Sequence, residues 1–174
     1  MQLAAILRTA ELSAYDIVFV NAPRVSTGPH DPQIPREVAT YEWWGVPQET
    51  YEDAWRRGFA GFEETRAYLR GLGPFAGVMG FSQGAAVALF VQAAWAALFS
   101  AVMPPPSFSK QDQRPSFHCY DEAEPVADEC RAMTDLFASP TVVLHHEGHR
   151  VSKSAETVNE FERFLKERSS VVTS

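Results

Sequence analysis

The chain has 174 residues, of which 45% are hydrophobic, and it carries a formal net charge of −7 at pH 7. This length is enough to bury roughly 70% of the unfolded surface in one globular domain, residues 1–174. The negative charge argues against nucleic acid or an anionic membrane as partner, and no apolar run is long enough to span a bilayer. Cys119 and Cys130 do not make a disulfide framework, so we expect a reduced, cytoplasmic protein.

The first fifty residues predict a helix, a strand and a long loop. Residues 2–13 place their large apolar side chains three and four positions apart, as on one face of a helix. Residues 16–20 predict a strand, because the β-branched and aromatic residues that follow Asp16 are continuous rather than alternating, which is typical of a buried parallel strand. The proline-rich stretch 21–50 has no clear period, and loops of this length are often functional. Its Trp43 and Trp44 either roof an acyl pocket or anchor the loop to the core.

The middle of the chain predicts a helix, a short strand and a second, Ala-rich helix. The first helix runs from about residue 51 to residue 70 and ends at the glycines and proline of residues 71–74. Residues 75–79 form the buried strand, and the second helix starts at Gln83. Two readings stay open for residues 96–102, which form either a strand after a very short connection or the end of one long helix.

The last third alternates strands and helices. Residues 116–120 and 141–144 read as strands, and residues 127–137 and 154–168 read as helices. This alternation is typical of an α/β fold in which a mostly parallel sheet is flanked by helices and the crossovers are right-handed.

A five-residue motif joins the middle strand to the Ala-rich helix. Gly80-Phe81-Ser82-Gln83-Gly84 matches G-x-S-x-G, the nucleophile elbow, and lies in the strand–turn–helix context that this motif requires. Such a turn strains the serine backbone, and we expect Gly80 and Gly84 to remove Cβ atoms that would collide there. The helix that follows directs its free N–H groups toward an oxyanion at Ser82. An ordinary junction that happens to contain a serine is the alternative.

Three consecutive strand ends carry reactive groups, and such ends meet at one edge of a parallel sheet. They supply Ser82, then an acidic turn at residues 121–124, then a histidine cluster at residues 145–149. The order serine, acid, histidine is that of α/β-hydrolases, in which an imidazole takes the serine proton and a carboxylate orients the imidazole. A metal site in the histidine cluster is the alternative, but no ligand spacing typical of zinc is present, so we expect no metal.

Three stretches resemble the FSH family of serine hydrolases, which includes fungal esterases and thioesterases that release polyketides from carrier proteins. They are Tyr41-Glu42-Trp43-Trp44, the block G-P-F-x-G-V-x-G-F-S-Q-G that begins at Gly73, and Gly148-His149-Arg150-Val151. The resemblance covers nearly the whole chain. It implies an α/β-hydrolase fold without a cofactor that hydrolyses an ester or thioester. The implied substrate is a small acyl ester or thioester, including an acyl chain on a carrier protein in fungal secondary metabolism.

The resemblance also assigns roles to residues. Ser82 matches the family's nucleophile and His149 its base, and the backbone N–H of Gln83 lies in the oxyanion hole. The loop of residues 21–50 is interpreted as covering the active site. The side chains expected to contact substrate are Trp43, Trp44 and Phe81.

The acid of the triad is less strictly defined by the resemblance. Glu124 lies where the family has an aspartate, and glutamate also serves in this role in the fold. Asp121, one turn closer to the strand, is the rival, and Asp128 is a third candidate. A solvated acidic turn without a catalytic role is the remaining alternative.

One family feature is missing from this sequence. The family's first strand, which ends in His-Gly, is not present, and we interpret the chain as N-terminally truncated relative to the family. That strand would lie between residues 17–20 and the elbow strand, so these two either pair directly or leave backbone groups unpaired. The missing loop also supplies an oxyanion donor, whose loss costs on the order of 100- to 1000-fold in rate. A catalytically impaired pseudo-hydrolase that acts as a binding protein is therefore the alternative function.

Overall fold

A four-stranded parallel sheet lies at the centre of the structure, a computed structural model that describes residues 6–26, 35, 37–45, 59–104 and 111–169. Its strands follow one another in space as they do in the chain. They are β3 (Phe75–Phe81), β4 (Ala93–Phe99), β5 (Ser116–Asp121) and β6 (Pro140–His145), and the short strands β1 (Arg24–Val25) and β2 (Tyr41–Glu42) form a separate antiparallel ribbon. The expected mostly parallel α/β sheet is confirmed.

Four α-helices accompany the sheet in the described part of the chain: α1 (Phe62–Arg70), α2 (Gln83–Val87), α3 (Ala127–Thr134) and α4 (Ala155–Ser169). Two apolar clusters pack on the sheet, one with α1, α2 and α3 and the other with α4. Strand β4 serves both, because alternate side chains point to opposite faces. Leu98 lies in the first cluster, whereas Trp95 and Phe99 lie in the second. None of the described helices is long and apolar enough to cross a membrane.

The structure decides between the two readings of residues 96–102 in favour of a strand. Helix α2 has five residues and passes into a 3₁₀ turn, Ala88–Phe90, before β4 begins. The guanidinium of Arg114 donates hydrogen bonds to the carbonyls of Val91 (2.9 Å) and Ala88 (3.4 Å) and pairs with Asp112. It thereby ties the turn between α2 and β4 to the segment before β5, which holds the very short connection in place.

The N-terminal expectations are partly wrong. The described part of the predicted 2–13 helix consists of two 3₁₀ turns, Ile6–Arg8 and Ala10–Ala14, with Thr9 donating its N–H to the Ile6 carbonyl. Residues 16–20 form no strand, and Val18 and Phe19 are 66% and 62% exposed. Of the two outcomes expected here, direct pairing of residues 16–20 with β3 does not occur, because in the described residues β3 pairs with β4 alone.

The other boundaries agree with the sequence to within a few residues, except for the start of the predicted 51–70 helix, whose described residues 59–61 are not helical. Residues 51–58 of the predicted 51–70 helix lie outside the described part, and α1 begins at Phe62 and ends before Gly71. Helix α3 stops at Thr134 rather than at residue 137. The loop predicted at residues 21–50 contains the β1–β2 ribbon, and residues 27–34, 36 and 46–50 of it lie outside the described part.

His118 is a fully buried strand residue rather than part of the histidine cluster. Its Nε2 lies 2.9 Å from Ser116 Oγ, and its ring packs edge-on against Phe137 at 5.0 Å between ring centroids. Burial lowers the pKa of His118 from 6.5 to about 4, because a cation loses its hydration in the core.

This burial predicts a pH dependence of stability. Between about pH 6.5 and pH 4 the unfolded chain takes up a proton at His118 that the folded chain does not, so the free energy of unfolding falls as the pH falls. The full contribution is on the order of 3 kcal/mol. We measure the free energy of unfolding in urea at pH 7, 6, 5 and 4. In His118→Gln we expect this fall in unfolding free energy with falling pH to be lost, whereas the exposed control His146→Gln should keep it. An unchanged slope in His118→Gln would contradict the assignment.

Candidate active site

Ser82 stands at the end of β3 in a strained backbone conformation. Its φ is 55° and its ψ is −121°, a region that a residue with a Cβ occupies only at a cost of about 1–3 kcal/mol. Its N–H donates to the Phe99 carbonyl at 3.0 Å, and its carbonyl accepts from the N–H groups of Ala85 and Ala86 at 3.0 and 3.3 Å. These bonds to β4 and α2 hold the turn, and the serine side chain is presented at the edge of the sheet.

Only one of the two elbow glycines is sterically required. A Cβ on Gly80 would lie 2.2 Å from the carbonyl oxygen of Gly84, which is a backbone collision. A Cβ on Gly84 would meet nothing closer than Trp43 Nε1 at 3.7 Å, an ordinary contact. The expectation that Gly84 also avoids a collision is therefore wrong, because a Cβ at Gly84 would make only an ordinary contact with Trp43.

The structure brings Ser82, His149 and Glu124 together. His149 Nε2 lies 3.2 Å from Ser82 Oγ, and His149 Nδ1 lies 2.5 Å from Glu124 Oε2. The carboxylate of Glu124 is fully buried, whereas 18% of the imidazole is exposed. The ring of Phe81 packs against the imidazole with 4.9 Å between ring centroids. The imidazole is thus held between a hydroxyl on one side and a buried carboxylate on the other.

Two further groups hold the second oxygen of the Glu124 carboxylate. Glu124 Oε1 accepts the backbone N–H of Asp121 at 3.1 Å, and the Cys130 thiol lies 3.7 Å away. The thiol also lies 3.3 Å from the carbonyl oxygen of Ala101. Burial and the neighbouring Glu124 raise the pKa of Cys130, so the thiol stays protonated and can donate. No feature of the sequence indicated this role for Cys130.

Asp121 does not touch the imidazole and instead fastens two loops together. Its Oδ1 accepts the N–H of Ala123 and its Oδ2 accepts the N–H of Gly148, each at 2.8 Å. These two hydrogen bonds lower the pKa of Asp121. The acid turn after β5 is thereby joined to the loop that carries His149. Asp128, the third candidate, lies exposed on α3 and pairs with Arg131 at 2.5 Å.

Gln83 is the first residue of α2, directly after Ser82, so its N–H has no partner within the helix. Its side chain binds a different segment. Gln83 Oε1 accepts the Trp43 N–H at 3.2 Å, and its Nε2 donates to the Trp44 carbonyl at 3.5 Å. The hydroxyl of Thr65 donates to the Trp43 carbonyl. The tryptophan segment is therefore fixed across the start of α2.

The two tryptophans have different surroundings. Trp44 is buried and packs on Phe59 and Phe62, with ring centroids 5.5 and 6.0 Å apart. It anchors the segment to the core. Trp43 is partly buried and lies beside Gly84 at the elbow.

The remaining members of the histidine cluster lie outside the Ser82–His149–Glu124 group. His145 is buried and its Nδ1 accepts the N–H of Glu147 at 3.2 Å, whereas His146 is exposed. The carboxylate of Glu147 accepts the hydroxyl of Ser152 at 2.6 Å. Among the described residues, no three metal-binding side chains are close enough together to hold an ion.

A parallel α/β sheet that presents a strained serine between a strand and a helix, with a histidine and a carboxylate from the next strand ends, has the arrangement of an α/β-hydrolase. A model of the family described as Serine hydrolase (FSH1) matches residues 1–161. The chain therefore belongs to this family of serine hydrolases, and the resemblance seen in the sequence is confirmed. No curated protein matches the chain.

Three solved structures resemble this one. A variant of Arabidopsis thaliana SOBER1 aligns with a TM-score of 0.61 at 15% identity over 96% of this chain and 90% of that one, which shows a shared fold. A Bacillus cereus carboxylesterase gives a TM-score of 0.44 at 17% identity over 52% of this chain and 49% of its own. YahD, crystallised with malic acid, gives 0.39 at 15% identity over 53% and 50%. The match thus spans about half the length of the last two proteins.

The geometry of the elbow predicts that two matched substitutions change the free energy of unfolding in opposite directions. Gly80→Ala forces a Cβ into the backbone of Gly84, and overpacking of this kind costs about 1–3 kcal/mol or more. Gly84→Ala adds a methyl group to α2 that collides with nothing, and alanine is favoured over glycine inside a helix by about 1 kcal/mol. Urea unfolding of both variants measures this difference. Equal destabilisation by the two changes would contradict the analysis.

The position of Asp121 predicts a loss of activity that depends on its charge. Asp121→Asn keeps the size of the side chain but can accept only one of the two N–H groups, so the His149 loop should loosen and the catalytic rate should fall about tenfold or more. The pKa of Asp121 is lower in the folded protein than in the unfolded chain. The Asp121 carboxylate therefore stabilises the folded protein fully above the ordinary pKa of about 3.9, and this contribution is lost as the pH falls through the folded-state pKa.

The difference in unfolding free energy between the parent protein and Asp121→Asn should therefore shrink when the pH falls from 7 to 3. Asp128→Asn is the matched control, since it makes the same change on an exposed side chain, and it should leave both rate and stability nearly unchanged. A stability difference for Asp121→Asn that stays constant over this pH range would show that the carboxylate charge is not its source.

Proposed function

We propose that this protein hydrolyses a carboxylic ester or thioester through an acyl-enzyme on Ser82. The observation that carries the proposal is the continuous hydrogen-bonded series from Ser82 Oγ through His149 to Glu124, at 3.2 and 2.5 Å. The family supports the same class of reaction. These three residues follow the parallel strands β3, β5 and β6 in the order serine, acid, histidine, which is the order in α/β-hydrolases.

In the first half of the reaction, Ser82 Oγ attacks the substrate carbonyl carbon while His149 Nε2 takes the hydroxyl proton. The buried carboxylate of Glu124 fixes the imidazole so that Nδ1 carries a proton, and stabilises the cation that forms. The N–H of Gln83, at the positive end of α2, donates to the oxyanion. The imidazolium then gives its proton to the leaving alcohol or thiol, and an acyl ester remains on Ser82.

In the second half, a water molecule replaces the leaving group. His149 takes a proton from the water, and the resulting hydroxide attacks the acyl carbonyl and releases a carboxylic acid. The proton returns to Ser82 Oγ. Water is the only reactant consumed besides the ester or thioester, so the two half-reactions balance without a metal or a cofactor.

The substrate class is proposed from the family. Small acyl esters suit esterases, and an acyl chain on a carrier protein, as in the release of polyketides in fungal secondary metabolism, suits the thioesterase members. We place the reaction in the cytoplasm, since Cys119 and Cys130 are both buried free thiols. The proposed catalytic unit is one domain, residues 1–174. Trp43, fixed beside the elbow by Gln83, and Phe81 would contact the substrate, with part of the 21–50 loop covering the site.

A fluorophosphonate probe, which reacts with an activated serine, tests this proposal. We expect the folded parent protein to be labelled and Ser82→Ala to be unlabelled and to lose ester hydrolysis about 1000-fold or more. Glu124→Gln should lower the rate by a similar factor because the imidazolium loses its counter-charge. Glu122→Gln is the matched control, since Glu122 is exposed two residues away, and it should behave like the parent.

Two results would contradict the proposal. A folded parent protein that the probe does not label would favour the binding-protein alternative, in which the site is formed but Ser82 is not reactive. Labelling that survives Ser82→Ala would place the reactive group elsewhere.

A further inference from the structure

His149 stands in the middle of a tight turn that its own backbone closes. The N–H of Arg150 donates to the carbonyl of Gly148 at 2.8 Å, so the turn spans three residues with His149 at its centre. We call these residues, Gly148 to Arg150, the histidine turn. One internal hydrogen bond fixes little of such a turn by itself. The direction of the imidazole therefore depends on what holds the two ends of the histidine turn.

Both ends of the histidine turn are held by side chains that follow or end strands of the sheet. At one end Asp121 accepts the N–H of Gly148 at 2.8 Å. At the other end the hydroxyl of Ser100 donates to the carbonyl of Arg150 at 3.4 Å. Asp121 is the last residue of β5, and Ser100 directly follows the last residue of β4. Two neighbouring strands thus hold the turn from two sides.

The backbone of Ser100 has a conformation that glycine would adopt more easily. Its φ is 44°, in the left-handed region where a Cβ crowds the backbone. Of the described residues other than glycine, Ser82 and Ser100 alone have a positive φ. Residues held in such conformations cluster at functional sites, and the first of these two carries the proposed nucleophile. A serine kept where glycine fits more easily indicates that its side chain has a role.

Ser100 is fully buried, so its hydroxyl needs a partner within the protein. In the described part of the chain that partner is the carbonyl of Arg150. The bond is longer than the usual distance of about 2.8 Å between two oxygens. We therefore expect it to affect the position of the histidine turn more than the stability of the fold.

The backbone around Ser100 is fixed to the elbow and to β5. The N–H of Ser100 donates to the carbonyl of Cys119 at 2.9 Å, and the carbonyl of Phe99, in the peptide before it, accepts the N–H of Ser82 at 3.0 Å. The hydroxyl of Ser100 thus ties the histidine turn to the residue that carries the nucleophile. Asp121 ties the same turn to the loop that carries the acid.

We infer that Ser100 is a positioning residue for His149. Its hydroxyl holds the carbonyl end of the histidine turn, so that His149 Nε2 stays within 3.2 Å of Ser82 Oγ. This inference rests on the proposed function and adds a residue to it that touches neither the substrate nor the reacting atoms. Loss of the hydroxyl should disturb the alignment of His149 with Ser82 while the fold is retained.

Two substitutions remove the hydroxyl but differ in their effect on the backbone. Ser100→Ala keeps a Cβ at positive φ, whereas Ser100→Gly removes it, so the glycine variant should be the more stable of the two in urea unfolding. Both should lower kcat for p-nitrophenyl acetate about tenfold with KM nearly unchanged, because proton transfer from Ser82 to His149 is less well aligned. The matched control is Ser116→Ala. It removes an equally buried hydroxyl, which contacts His118 at the other end of β5, and should keep the kcat of the parent.

The position of the imidazole can also be measured without a substrate. The ring of Phe81 packs against His149 with 4.9 Å between ring centroids, so its ring current shifts the NMR signal of the proton on His149 Cε1. A movement of the imidazole relative to this ring changes that chemical shift. The signal is assigned by its absence in His149→Gln. Both variants of Ser100 should move it, and Ser116→Ala should not.

Three results would overturn the inference. They are a folded Ser100→Gly with the kcat and the His149 signal of the parent, a kcat that falls in Ser100→Ala but recovers together with stability in Ser100→Gly, and an equal loss of kcat in Ser116→Ala. If the parent hydrolyses no ester, the proposed function fails and the NMR signal alone decides the inference. A change of chemical shift confined to the variants of Ser100 then supports it, and an unchanged chemical shift overturns it.

Discussion

The backbone of Ser82 is the constraint to which the rest of the site is fitted. A serine with φ of 55° is stable only where neighbouring backbone groups hold it, and here β4 and α2 do so through the hydrogen bonds of Phe99 and Ala86. The turn can be this tight because Gly80 has no Cβ and lies directly against the Gly84 carbonyl. The same turn determines where Oγ points and where α2 begins, so it positions both the nucleophile and the Gln83 N–H.

Glu124 and His149 reach Ser82 from two different loops, and a second carboxylate joins these loops. Glu124 is buried and fully occupied, with His149 on one oxygen and the N–H of Asp121 and the thiol of Cys130 around the other. Asp121 then connects the turn after β5 to the backbone at Gly148, next to the imidazole. A buried carboxylate without such partners would be costly. The network around Glu124 therefore accounts for a buried glutamate beside His149.

Strand β3 pairs with β4 alone in the described part of the chain. Residues 16–20 were expected to be a buried strand, but they lie apart from the sheet, and Val18 and Phe19 are exposed. A β-prone run thus does not become a strand by its composition alone, because a strand needs a partner with which to share its backbone hydrogen bonds.

The sequence by itself determined the elements whose patterns are local. The strand–turn–helix context of Ser82, the strands before the acid turn and before the histidine loop, and helix α4 follow from short-range periodicity and turn residues. The family resemblance pointed to Glu124 over Asp121, which no spacing rule could decide.

Only the tertiary structure decided which long-range contacts exist. Whether residues 16–20 become a strand depends on a partner edge, and whether Gly84 is needed depends on which atoms lie around its Cβ position after folding. Two further contacts join parts of the chain that are separate in sequence. Asp121 accepts the N–H of Gly148, and the thiol of Cys130 lies beside the carboxylate of Glu124. The physical reason is that periodicity reports which face of an element is apolar, whereas pairing and collision depend on what that face meets after folding.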